Sequence, residues 1–265
     1  MNNKKWFAKI VHVLFVFFVY AFLYLPIFVL VIFSFNDSSV PFAWSGFSLR
    51  WFKALWSTPD LLQALKTSLI VASVSTFLSV TLGSFLVVAS KWWRPFFLFN
   101  IFHTNIILPE IILAIGLLSL FTFLKIPLGY GSLIAGHALI GLGFVVPIIR
   151  ARFIELDPTL TEASADLGAL PLHTFRKIVI PLLAPSMIAS AFLVFTLSLD
   201  DFFIAFFCSG EKIQTLSVYV YSMVRKGIDP RINAISTILL AVSSLFVLAL
   251  CLFKVLDQVF GHDVE

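Results

Sequence analysis

Three carboxylates stand where carboxylates are costly. Glu110 follows Pro109 inside a long apolar stretch, and Asp200 and Asp201 sit side by side in "FTLSLDDFF". In a hydrocarbon core a charged side chain costs about 2.5–3.5 kcal/mol on insertion scales, so such groups turn toward a bundle interior or a watery path. Counted from apolar stretches that begin at Phe96 and Pro185, Glu110 lies 14 residues in and Asp200 lies 15. At 1.5 Å per residue both reach a depth of about 20 Å. No Lys or Arg shares either stretch at that depth, so the three acids read as a route for a cation. The competing reading has them hydrogen-bonded within the fold, or protonated and neutral. Aromatic faces also hold ammonium groups. Phe102, Phe202, Phe203 and Phe206 are candidates, although most of the 31 Phe residues must face lipid.

Little else in the sequence can do chemistry. It contains no G-x-x-x-x-G-K-[ST] run to cradle phosphates and no H-E-x-x-H to hold zinc. Cys208 and Cys251 are far apart and imply neither a disulfide framework nor a metal cluster. His137 follows Gly136, with Ser132 one turn earlier, a small-xxx-small spacing that marks close helix packing across which a His can hydrogen-bond. A proton relay through His137 needs an acidic neighbour that the sequence does not place. A membrane-embedded enzyme is the rival class, and no nucleophile and base can be paired for it.

The elements that carry these residues follow from composition. Of 265 residues 60% are hydrophobic and 12% charged, too little polar surface for water, so the expected fold is an all-α integral membrane protein. Six stretches are long enough to cross a bilayer: 10–33, 67–90, 96–124, 132–149, 185–207 and 234–253. Lys4, Lys5 and Lys9 before the first span, and a tight Lys91-Trp92-Trp93-Arg94 turn, place both termini in the cytoplasm. The net charge of +4 is spread over both faces, with no dense basic block for nucleic acid. The whole chain, 1–265, reads as one membrane domain, with a five-helix unit at 67–254 and a cytoplasmic loop at 150–183. Outside, "PFAWSGFSLRWFKALW" interleaves Trp44, Phe47, Trp51, Phe52 and Trp56 with Arg50 and Lys53, the mixture of a helix lying at the headgroup interface.

The loop at 150–183 is polar against this background. "DPTLTEASADLG" predicts a helix with Asp157 at its N-cap, Pro158 at the first position and Gly168 ending it in the left-handed conformation. Leu160, Ala163 and Leu167 share one face. Pro171 can start a second helix, with Leu172, Phe175 and Val179 at helical spacing, that Pro181 disrupts. This elbow resembles the EAA loop of permease subunits in ATP-binding-cassette importers. The matching positions are Glu162-Ala163-Ser164, Gly168, Ile178 and Ile180-Pro181, with Ser164 replacing an alanine and Ile180 a leucine. The resemblance implies a type I importer permease fold whose elbow, with Glu162, Asp166 and Gly168, docks as a coupling helix into a separate ATPase. ATP and Mg would be bound by that partner, and this chain would carry no cofactor.

"FTLSLDDFF", "TLSVYVYSMVRKGIDPRINAISTILL", "LYLPIFVLVIFSFN" and "LLQALKTSLIVA" look like the second permease subunit of spermidine/putrescine importers. That resemblance implies a polyamine substrate, a sister permease, two ATPase copies, a periplasmic binding protein and the bacterial inner membrane. Two departures are Glu110, where Asp is common after Pro, and Ser217, where Pro is common and which is read here as affecting loop stiffness. The same machinery carrying an aminophosphonate, thiamine or a metal remains the alternative.

Overall fold

The computed structural model describes residues 2–40, 43–93, 102, 107–227 and 229–260. Among these the regular structure is helical apart from an isolated bridge between Asn36 and Phe47, the outcome expected where lipid offers the backbone no partner. In order the helices are α1 (Asn2–Ser34), α2 (Arg50–Trp56), α3 (Pro59–Trp93), α4 (Glu110–Phe123), α5 (Tyr130–Glu155), α6 (Thr159–Asp166), α7 (Pro171–Thr174), α8 (Ile180–Asp200), α9 (Phe203–Cys208), α10 (Leu216–Lys226) and α11 (Arg231–Phe260). Among the described residues four segments are long and apolar enough to cross a membrane: Lys9–Ser34, Pro59–Ser90, Tyr130–Glu155 and Pro171–Asp200. Glu110–Phe123 and Arg231–Leu245 are shorter apolar helices.

Three expected boundaries change. The predicted span at 96–124 is interrupted: Pro109 is extended (φ −57°, ψ 130°) and α4 starts only at Glu110. Proline has no N–H to continue a helix and biases its predecessor away from the helical region; residues 94–101 and 103–106 lie outside the described part. The predicted span at 185–207 breaks at Asp201 (φ −60°, ψ 129°) before α9 resumes. There the Asp201 Oδ2 accepts the Ala205 N–H at 2.9 Å, a side-chain bond that competes with the helical ladder. Helix α3 runs on to Trp93 where a turn was expected at Lys91–Trp93, and Arg94 lies outside the described residues.

The chain forms two compact units, Met1–Pro59 with Val220–Glu265, and Asp60–Tyr219. In the first, α11 packs on α1 and α2. Asn36 organises the loop after α1, donating from Nδ2 to the Ala43 carbonyl at 2.7 Å and accepting the Ser45 N–H at 2.9 Å. Trp51, expected at the headgroup interface, is instead buried, and its indole N–H donates to the Asn36 carbonyl at 2.8 Å. Trp44, Phe47 and Trp56 remain exposed.

In the second unit two apolar clusters do the packing. Val87, Val145, Ile149, Leu183 and Val194 join α3, α5 and α8, and Phe102 lies against this cluster. Val71, Leu117, Leu133 and Ile204 join α3, α4, α5 and α9. Gly136 permits the second: a Cβ there would stand 2.7 Å from Ile204 Cγ2. The expected small-residue contact on α5 is therefore present, and Ser132 extends it by donating to the Cys208 carbonyl at 2.8 Å.

The elbow follows local rules closely. Asp157 Oδ1 accepts the Thr159 N–H at 2.9 Å, and α6 ends with Gly168 at φ +76°. Ala169 N–H donates to the Ser164 carbonyl at 3.1 Å and Gly168 N–H to the Ala165 carbonyl at 2.8 Å, the paired bonds of a Schellman end. The face shared by Leu160, Ala163 and Leu167 is open, with Leu167 88% exposed. Ser164 is the buried residue of α6, and its hydroxyl meets Thr174 Oγ1 on α7 at 2.7 Å. Pro181 does not end the second helix. A π-turn at Phe175–Val179, in which Ile180 N–H bonds the Phe175 carbonyl, carries the chain straight into α8, so the missing proline N–H falls where the ladder is already shifted.

Nothing lies within 4 Å of a Cβ built on Gly168, so a substitution there costs only backbone strain. Gly168→Val should destabilise the elbow by about 1–2 kcal/mol and Gly168→Asn by less, measured as protease susceptibility of residues 157–181; equal protection in both variants would refute the left-handed end. The Thr159 N–H beside Asp157 holds its carboxylate below the usual range. With the folded value depressed, the stabilisation is present above the unfolded value and lost as pH falls through the folded one. Protection of the elbow should therefore decline on acidification in the native chain, while Asp157→Asn, which keeps the cap, should remove that part of the pH dependence.

Candidate functional site

Two helix interruptions in the Asp60–Tyr219 unit deliver the acids. Glu110 is the first residue of α4, where the N-terminal end of a helix dipole favours a negative group. Asp201 is the first non-helical residue after α8. Glu110 and Asp201 line one cavity together with His137 and Gly141 of α5 and Val194 and Ser198 of α8. Its free volume is about 20 Å³, the scale of a single water molecule. Of the three acids singled out in the sequence, Glu110 and Asp201 thus share one cavity, and Asp200 is not among its lining residues. Asp200, the last residue of α8, and Phe202 stand beside that lining. Phe202 packs its ring on Phe203 and Phe206 at centroid distances of 5.6 and 5.4 Å.

A polar network runs behind the cavity. His137 Nδ1 lies 2.7 Å from Ser198 Oγ, and Ser198 Oγ lies 3.3 Å from Ser75 Oγ on α3. On the other edge of the imidazole, Nε2 is 3.5 Å from Asp201 Oδ2. The acidic neighbour that the sequence did not place for His137 is thus present. Ser217 donates to the Asp201 carbonyl at 2.6 Å, and Leu216 N–H donates to Ser68 Oγ at 2.8 Å. Ser217, read from sequence as a matter of loop stiffness, secures the break itself.

His137, Ser198, Ser75 and Ser217 are what sequence reasoning missed as site residues. Ser198 carried the best signal, since it precedes Asp201 by three residues and so shares its side of the helix end. At the elbow, Glu162, Ala163 and Asp166 are exposed, Ser164 is buried, and Ile178 sits half-buried in the π-turn ahead of an exposed Pro181. Among the described residues no group of three or more His, Cys, Asp or Glu is arranged to hold a metal ion.

Comparison with known proteins gives a consistent result. Residues 75–262 match the family described as binding-protein-dependent transport system inner membrane component. The spermidine/putrescine transport system permease protein PotC of Escherichia coli K12 is 38% identical over 235 residues, covering 87% of this chain and 89% of that protein. The putrescine transport system permease protein PotI of the same strain is 35% identical over 232 residues, covering 83% and 82%. Among solved structures, a chain of a bacterial ABC transporter that imports the acidic polysaccharide alginate superposes with a TM-score of 0.68 at 14% identity over 100% of this chain and 99% of that one. A chain of the MetNI methionine ABC transporter gives 0.59 at 19% identity over 71% and 92%. These structures support the fold, and the family match with the two relatives settles membership: the chain belongs to the family of binding-protein-dependent transport system inner membrane components.

Proposed function

We propose that this chain is one of two related permease subunits of a polyamine importer in the bacterial inner membrane, passing spermidine or putrescine by alternating access. The observation that carries the reading is the meeting of Glu110 and Asp201, from two separate helix interruptions, in one cavity between apolar helices. Carboxylates so placed pair ammonium groups, and Asp200 and the Phe202 ring extend the same chemistry along the path. The names of the similar permeases, which specify spermidine and putrescine, agree with that chemistry.

Force comes from a partner in this reading. Two copies of a separate ATPase bind ATP and Mg and close on each other, and the elbow from Glu162 to Pro181 follows them. Leu160, Leu167, Leu170 and Leu172 are exposed there and supply apolar contact of the helix-in-groove kind. Packed helices move between discrete arrangements as bodies, so displacement of the elbow shifts the continuous Pro171–Asp200 segment and with it Asp200 and the adjoining Asp201. Both termini lie in the cytoplasm, and a periplasmic binding protein delivers substrate on the opposite side, where α10 and the loop after it offer a docking surface.

The reconstituted importer should take up labelled putrescine or spermidine and resist competition by thiamine, an aminophosphonate or divalent metal. Glu110→Gln and Asp201→Asn should each lower uptake by about tenfold or more, the cost of a lost charge-assisted contact, and Asp200→Asn by less. Undiminished uptake in a Glu110→Gln, Asp201→Asn double variant would remove the acids from the path.

A further inference from the structure

Hydrogen counting assigns the proton on His137. The Ser75 hydroxyl donates to the Ala72 carbonyl at 3.2 Å, a group that only accepts. Its single hydrogen is then committed, so the 3.3 Å bond between Ser75 and Ser198 takes its hydrogen from Ser198. Filling all three contacts at once then draws the hydrogen of the 2.7 Å bond between Ser198 and His137 from Nδ1. In that tautomer Nε2 presents a lone pair. Nε2 is buried without a hydrogen-bond partner and faces Asp201 Oδ2, a second acceptor when the carboxyl is ionised, at 3.5 Å. Asp201 Oδ1 is also buried and unpartnered, on a side chain only 7% exposed.

Acceptors that face one another repel unless a donor lies between them. The cavity bounded by Glu110, His137, Ser198 and Asp201 has room on the scale of one water molecule, about 20 Å³. A primary ammonium has that size, three donors and no acceptor. A quaternary ammonium is larger and has no N–H to give. The acceptors gathered here match one amino end of a diamine at a time.

We propose that His137 Nε2 accepts a hydrogen bond from the terminal primary ammonium group of the transported amine, forming with Asp201 and Glu110 a three-acceptor site for that group. The inference rests on the polyamine reading above. His137 is then a substrate ligand, and the Ser198–Ser75–Ala72 chain is the device that keeps its lone pair turned inward.

The test uses the complete importer, with ATPase, sister subunit and binding protein, in proteoliposomes supplied with radiolabelled putrescine, and scores uptake per assembled complex. His137→Gln keeps an acceptor oxygen and should retain uptake within about threefold, whereas His137→Phe should lower it by about tenfold or more. Ser198→Ala frees Nδ1 and lets Nε2 carry the proton, so it should also lower uptake by about tenfold. Should the Phe variant fail to assemble, the contrast between His137→Gln and Ser198→Ala decides. Native uptake in His137→Phe or Ser198→Ala overturns the proposal, as does a Gln variant as impaired as Ser198→Ala. A native importer that takes up neither putrescine nor spermidine brings down the polyamine reading and this inference with it; uptake that is merely indifferent to His137 brings down the inference alone.

Discussion

A carboxylate held inside hydrocarbon must be given hydrogen bonds, water or a counter-charge, and the fold of the Asp60–Tyr219 unit is arranged around that requirement. An unbroken helix satisfies its own backbone and leaves nothing over for a side chain. Interrupting α8 at Asp201 frees the Ala205 N–H for one carboxylate oxygen and leaves the other buried without a hydrogen-bond partner. Interrupting the chain at Pro109 sets Glu110 at the positive end of α4. Non-helical backbone at membrane depth is tolerated only where it is buried in protein or lines a cavity. Here Ser217 and Ser68 bind the second break to α10 and α3, while the apolar cluster around Leu133 and Ile204 closes over it.

The elbow connects to that site through one rod. Pro171–Asp200 is continuous over 30 residues, about 45 Å at helical rise. Leu183 and Val194 lock it against α3 and α5 on the way. The π-turn at its base and the Ser164–Thr174 contact set the angle at which α6 and α7 leave it. The substitution of Ser for the alanine of the EAA pattern is thus compensated within the chain, by a hydroxyl partner ten residues on.

How much of this was legible in the sequence depends on the range of the interaction. The elbow was legible almost residue by residue, because Asp157, Pro158 and Gly168 act on backbone within three or four positions. The pairing of acids from two separate stretches was legible in outline, because carboxylates in apolar sequence stand out against their neighbours. The helix interruptions were not, since an apolar window reports length and says nothing of where a carboxylate intercepts an N–H. The role of His137 was hidden for a related reason: its partner Ser198 is 61 residues away. Trp51 was misplaced because aromatic composition marks an interface, while the burial of this indole is decided by the Asn36 carbonyl that receives its N–H.

The central claim is that two interrupted helices converge to build one cation site. A cryo-electron microscopy map of the assembled importer, trapped with putrescine, tests it most directly. The account predicts extended backbone at Pro109 and Asp201, with ligand density within hydrogen-bond reach of both Glu110 and Asp201. Helices running unbroken through either position, or a ligand held away from both carboxylates, would contradict it.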